Sequence, residues 1–457
     1  MSSKEKKAAG PAYTHMFAEK VCAIGFDALD AEAISAVKRL IVDGVAVAIA
    51  GTAEDAPKIY AAHTRDGGGT AQSTVWGFGY KTSASAAAYA NAVSMHVLDF
   101  EPMSSPPTHA VSPTVPGALA LAEAHGGSGR DVIAACAKGF EIQGRILAAA
   151  KPARGALPFH SPGVMGPMGS AAAAAHMLKL DAKQFANALG MASSRCAGLP
   201  ANSGSMVKCT HCGNAAQAGL EAALLAARGF TAHPGIFEAK HGYVEVFFPQ
   251  RFDYDALFAF GKPWRFVDPG MAIKFYPSKY PTHFAITAAI EARKTIKDLT
   301  QIRAVKIVSP EILDANRPQP RVGLEGKFSL QYAAAAALLD GSVGIQTFSD
   351  ERRFAADMVD LLGKITLEFD PSIPPDTKNM HISVEATLAD GSVHKGVCHK
   401  PPGTWGIPVD AAQHRAKIRD CLGVRFDAAK SDRVIESFEN LERLDAKRLG
   451  ELLALLA

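Results

Sequence analysis

Between Tyr13 and about Arg265, apolar residues recur three and four positions apart: Ile34, Val37, Ile41, Val45 and Ala48 in one stretch, Val115, Leu119 and Ala122 in another. That spacing lines one face of a helix with 3.6 residues per turn. Alanine is abundant; it is the best helix former, and its small side chain lets helices approach closely. Gly51, Gly67-Gly68-Gly69, Gly126-Gly127, Pro152, the run from Pro158 to Pro167, Pro200 and Gly229 punctuate the pattern. Asp181-Ala182-Lys183-Gln184, ahead of Phe185, Ala188 and Leu189, reads as a capped helix start. This half is expected to be an all-α body with several conspicuous loops.

After Pro263 the texture changes. Val305-Lys306-Ile307, Ile365-Thr366-Leu367-Glu368-Phe369 and Ile382-Ser383-Val384-Glu385-Ala386-Thr387-Leu388 alternate apolar with polar, and Asp390-Gly391 supplies a turn before Val393. Helical stretches at 284–294 and 329–339 interrupt them. From 409 to 457 the chain returns to charged amphipathic helix, expected to pack back on the first body. The predicted fold is mainly α: a large helical domain from 1–269 and 403–457, with a smaller α+β lid domain inserted at 270–402. No repeat or low-complexity tract is visible.

Composition narrows the partners. The chain has 457 residues, 48% hydrophobic and 20% charged, which excludes a disordered protein. Forty-eight Lys and Arg against 45 Asp and Glu leave +3, with no basic block beyond Lys4–Lys7, so neither nucleic acid nor a membrane surface is an expected partner. The longest apolar stretches are too short or too broken to cross a bilayer, and the polar, Lys-rich start does not read as a signal peptide. Seven cysteines form no regular framework, which fits a reducing compartment; a cytoplasmic location is expected. No phosphate loop, dinucleotide fingerprint, His-Glu-x-x-His or nucleophile elbow is found. Cys209-Thr210-His211-Cys212 has no second ligand pair at a suitable distance, so no metal is expected.

Candidate chemistry lies on Pro- and Gly-rich loops. His96, Asp99, Glu101 and Ser104-Ser105-Pro106-Pro107-Thr108-His109 form the first cluster; the prolines favour extended backbone and place His109 on a loop. The plainer alternative is that Asp99 caps a helix and His109 satisfies loop carbonyls. His160, in Pro158-Phe159-His160-Ser161-Pro162-Gly163, stands at the mouth of an alanine-rich helix whose free N–H groups could seat a carboxylate. Lys208 and His211 are three apart and share a face if the helix expected from 215 to 228 has already begun. Lys274, Lys279 and His283 mark the join between the two textures, where a cleft would be lined; Arg317 could add a cation or serve as a rim salt bridge. Imidazoles, ammonium groups and a carboxylate without a cofactor motif suit a small polyanionic acid.

The order and spelling of these strings resemble the MmgE/PrpD family: His96-Val97-Leu98-Asp99-Phe100, Thr108-His109, Glu141-Ile142-Gln143-Gly144-Arg145, Phe159-His160-x-Pro162-Gly163, Lys208-x-x-His211-x-Gly213-Asn214, Lys274-x-Tyr276-Pro277 and Phe328-Ser329-Leu330-Gln331-Tyr332. The resemblance implies a homodimer and a cofactor-free site in a cleft between the helical and α+β domains. Asp99, His109, His160 and Lys208 match the family's active-site positions, and His211 and Lys274 lie in matching strings. Two departures stand out. Asp99-Phe100-Glu101-Pro102-Met103 lacks the further acidic residue and the Thr of many relatives, and Asp314 stands where the decarboxylase branch has Tyr. Both count against cis-aconitate decarboxylation, and the first also weakens a strict 2-methylcitrate dehydratase reading. The expected function is a cofactor-independent, dehydratase-type lyase acting beside a carboxylate of a small di- or tricarboxylic acid. His109, His160 and Asp99 would move protons, and Lys208, His211 and Lys274 would bind substrate. An epimerase, a decarboxylase and a non-catalytic carboxylate binder are the alternatives.

Overall fold

The computed structural model describes residues 12–151 and 157–457; the Lys4–Lys7 stretch and Pro152 lie outside them. The first body opens with α1 (Tyr13–Cys22), α2 (Ala31–Gly51) and α3 (Asp55–Gly67), then a small hairpin of β1 (Ser73–Val75) and β2 (Tyr80–Thr82). It continues through α4 (Ala84–His96), α5 (Val111–His125), α6 (Gly129–Ala150), α7 (Ser161–Met177), α8 (Ala182–Ser193) and α9 (Val207–Ala227) to the short α10 (Tyr243–Phe247) and α11 (Tyr254–Phe258). The expected all-helical body is thus corrected by one hairpin, whose strands of three residues are too short to show a period of two. Two further boundaries differ from the sequence reading. The helix α7 runs through Pro167 rather than breaking before it, and α9 begins at Val207, ahead of the start expected at 215.

Caps explain several of these starts. Asp30 accepts from the Ala33 amide, and Asp181 with Gln184 forms the reciprocal box read from the sequence. The helix α7 is buried nearly all round, which fits a central helix rather than an amphipathic surface one. It packs directly against α9. A Cβ on Gly219 would lie 2.4 Å from both the Pro167 carbonyl and the Ala171 amide, so only glycine permits this approach. That contact fixes the start of α7 beside the start of α9.

Beyond the join come α12 (Tyr280–Arg293), β3 (Ile302–Ser309), α13 (Gly323–Gly326), α14 (Leu330–Asp340), α15 (Asp350–Arg353), α16 (Ala356–Leu362), β4 (Ile365–Phe369), β5 (Ile382–Leu388) and β6 (Val393–Cys398). The four strands form one sheet in the order β4-β3-β5-β6, with β3 and β4 parallel and the other pairs antiparallel. Ile307 sits opposite Leu367 and Val384. A register shift between Ile302 and Ala304 accounts for the broken alternation at the start of β3. Helices α12 and α14 pack on the sheet, and Val305, Ile307, Val384 and Ala386 are buried in the core they share with it.

Two apolar cores result. The larger draws on α1, α2 and α4 to α9 and again on Ile418, Phe426, Val434, Phe438 and Leu456 of the tail, which carries the helices α17 (Ala411–Leu422), α18 (Ala428–Glu439) and α19 (Ala446–Leu455). The second is built from residues between Ala272 and Cys398, joined by Met103. The tail therefore packs on the first body, as its amphipathic pattern predicted.

Candidate active site

Asp99 ends the turn after α4 with φ 51°, a left-handed backbone that short polar side chains tolerate better than most. Its carboxylate is gripped from two sides. Lys208 Nζ, on the first turn of α9, lies 2.6 Å from Oδ2, and Lys274 Nζ contacts Oδ1. Lys274 also donates to the Asp99 carbonyl at 2.8 Å and the Ser278 carbonyl at 3.2 Å, so its three N–H groups are taken. Burial opposes ionisation of Asp99, but the two ammonium groups outweigh it and hold the carboxyl well below the usual carboxylate range.

Glu101, two residues on, is fully buried and organises the imidazoles. His96 Nδ1 lies 2.5 Å and His109 Nδ1 3.0 Å from its Oε1, and the Ser112 hydroxyl donates to the same oxygen at 2.7 Å. His109 Nε2 is 3.7 Å from Asp99 Oδ1, so that ring bridges the two acids. Burial resists the Glu101 charge, and the His96 and His109 rings overcome it and keep the carboxyl low. His160 stands at the head of α7, with its Nδ1 3.0 Å from His211 Nδ1. One of that pair donates and the other accepts, so they share a single proton between those atoms. Ring centroids of His109 and His160 are 6.3 Å apart, and those of His160 and His211 5.1 Å. The Ser161 hydroxyl, 3.0 Å from that of Thr108, ties the two loops together.

All six expected residues thus meet in one place. Lys208 and His211 do share a helix face, because α9 has already started. His96 and Glu101 were visible in the sequence but carried no assigned role; an acid at position 101 flanked by His96 and His109 was the available signal. Arg317 makes no salt bridge among the described residues; it reaches the Ser203 carbonyl at 3.5 Å and lies over the Phe328 ring. Lys279 pairs with Asp314. A cavity of about 370 Å³ abuts the cluster, and of the six only Lys208 lines it, alongside His96, Glu54 and Phe328. The ligand atoms of His96, Glu101 and His109 lie within 4.8 Å of one another and could hold a metal. His96 Nδ1, however, already bonds that carboxylate, His109 Nδ1 stands 3.0 Å from the same oxygen, and two ammonium groups lie across Asp99, so the set reads as a charge-paired cluster.

Burial leaves three of the imidazoles uncharged. It pulls His96 down to about 4, against the opposing pull of Glu101, and lowers His160 and His211 with help from Lys208. Elsewhere His176 falls to about 4 and His283 to about 3, again chiefly by burial. In the unfolded chain such rings titrate near pH 6.5. Between that value and the folded ones the unfolded chain binds more protons. Stability is therefore full above about pH 6.5 and falls as the pH drops toward 4, by about 1.4 kcal/mol per unit of separation for each ring. Asp99 and Glu101 add their own loss only below about pH 4. Urea denaturation across this range should show the fall; a flat profile between about pH 7 and 5 would contradict it.

Residues 15–255 match the MmgE/PrpD N-terminal domain and residues 276–443 the MmgE/PrpD C-terminal domain. Cis-aconitate decarboxylase of Mus musculus is 30% identical over 453 residues, covering 94% of this chain and 91% of the relative. The Homo sapiens protein of that name is 29% identical over 448 residues, covering 94% and 92%. The Aspergillus terreus one is 26% identical over 461 residues, covering 93% of each. With both domains matched in order along nearly its whole length, the chain belongs to the MmgE/PrpD family.

Proposed function

We propose that the protein is a lyase that moves a proton beside a carboxylate of a small di- or tricarboxylic acid, using its own side chains and no cofactor. The observation that carries this reading is the convergence of uncharged imidazoles with buried ammonium–carboxylate pairs. A neutral imidazole accepts a proton from carbon or, once protonated, delivers it. Lys208, facing the cavity, is placed to hold a substrate carboxylate and to stabilise enolate charge away from water. Lys274, with its donors spent on Asp99 and Ser278, serves by holding Asp99 rather than by meeting substrate. His109, seated between Asp99 and Glu101, and the His160–His211 pair are the two proton-carrying groups.

The full-length likeness to cis-aconitate decarboxylases favours loss of carbon dioxide. There the bond to one carboxylate breaks, its electron pair moves along the allylic system, and the far carbon takes a proton that an imidazole has first picked up from solvent. Dehydration is the second reading, since the departures at Met103 and Asp314 both count against decarboxylation and only the first also weakens a strict 2-methylcitrate dehydratase assignment. Met103 is buried and bridges to Ala272, and Asp314 is committed to Lys279. Proton NMR in deuterated water separates the readings. Incubation with cis-aconitate, citrate-like and hydroxysuccinate-like acids is expected to yield a new unsaturated acid, with carbon dioxide for decarboxylation and without it for dehydration. Deuterium exchange with inversion and no new alkene would mean an epimerase. No change across the panel would overturn the enzymatic reading.

A further inference from the structure

Three consecutive carbonyls in the turn after α4 each face a different lysine. Leu98 O lies 3.4 Å from Lys327 Nζ, Asp99 O 2.8 Å from Lys274 Nζ, and Phe100 O 3.0 Å from Lys417 Nζ. The three ammonium groups come from the segment between α13 and α14, the join and the tail helix α17. Cations at the carboxyl end of a helix are favoured by its dipole and by the free carbonyls there, which accounts for part of the arrangement.

Lys417 differs from the other two. Its opposite side is held by both oxygens of Asp43, at 2.9 and 2.8 Å, and Asp43 is wholly buried on α2. His414 Nε2 reaches the same carboxylate at 2.9 Å. The ammonium also sits 4.1 Å from the centroid of the Phe100 ring. None of Asp43, Phe100, His414 and Lys417 lines the cavity. Yet Phe100 is the residue between Asp99 and Glu101, so the tilt of its carbonyl sets the directions of both acids at once.

We propose that Lys417, anchored on Asp43, is a positioning residue for the active site: by fixing the Phe100 carbonyl it holds Asp99 against Lys208 and Glu101 against His96 and His109. The inference rests on the reading of that turn as catalytic. A buried pair that only joined the tail to the body would be replaceable without effect on turnover, since such pairs often give way to neutral side chains. The contact with Phe100 is what separates the two possibilities.

The test compares Lys417→Met, the double variant Asp43→Asn/Lys417→Met, which leaves no unpaired buried charge, and His414→Asn, which keeps both the anchor and the ammonium. Each is assayed for kcat and KM on the substrate that the wild type converts, and for hydrogen–deuterium exchange of the amides in 97–110. His414→Asn should keep the wild-type kcat and loop protection. The double variant should fold, exchange faster in 97–110, and lose about 10²-fold in kcat with KM little changed, as expected for misplaced rather than missing chemistry. Wild-type kcat and protection in the double variant would overturn the proposal. So would equal losses in His414→Asn, or failure of both Lys417 variants to fold, since either would make the contact a general prop. Should the wild type convert no acid at all, the functional reading fails, and the exchange comparison alone decides whether Lys417 holds the turn.

Discussion

Replacing Asp99 with alanine is expected to destabilise the protein by about 3–5 kcal/mol as well as to abolish turnover, because it strands two buried ammonium groups. Lys208 and Lys274 are both buried, and Asp99 is the carboxylate that each contacts. Removing one member of a buried ionic set costs far more than removing all of it, since the remaining charge has no water to turn to. Alanine also fits poorly at φ 51°, at a cost of about 1–2 kcal/mol. Asp99→Asn separates the contributions: it tolerates that backbone and keeps an acceptor, so it should recover part of the stability and none of the activity. Urea denaturation monitored by circular dichroism reads the first effect. A change within about 0.5 kcal/mol, the range of ordinary surface substitutions, would show that Asp99 is not the counterion of this site.

Lys208→Ala should do the opposite, silencing the enzyme while leaving it folded. Lys208 is the cation that faces the cavity, and its loss leaves Asp99 still paired with Lys274. Loss of one donor aimed at developing negative charge lowers kcat by about 10²–10³-fold. The melting temperature and far-ultraviolet spectrum should stay close to wild type. Normal turnover of the acid identified in the NMR panel would remove Lys208 from the substrate side of the site.

Much of this site could be read from the text because its residues sit where local rules are strict. Prolines at 106 and 107 keep His109 out of a helix, and a three-residue interval puts Lys208 and His211 on one face because the helix has begun by Val207. The strands β4 and β5 announced themselves by alternation, and α8 by its reciprocal cap. What escaped has a physical reason in each case. The hairpin at 73–82 is too short for periodicity. Glu101 looks like any loop acid until the backbone folds it under two rings. Lys417 lies in a charged tail where one lysine resembles the next, and its partner Asp43 stands 374 positions away. Local pattern carries no trace of such a meeting.

The grip on residues 98–100 is gathered from positions 274, 327 and 417, with a time order built into it. A chain still growing on the ribosome, with α1 to α9 complete, would already carry every imidazole of the site. It would still lack the ammonium group beneath Phe100. The grip on that turn is therefore completed late in synthesis, after the body that houses it, when the tail folds back.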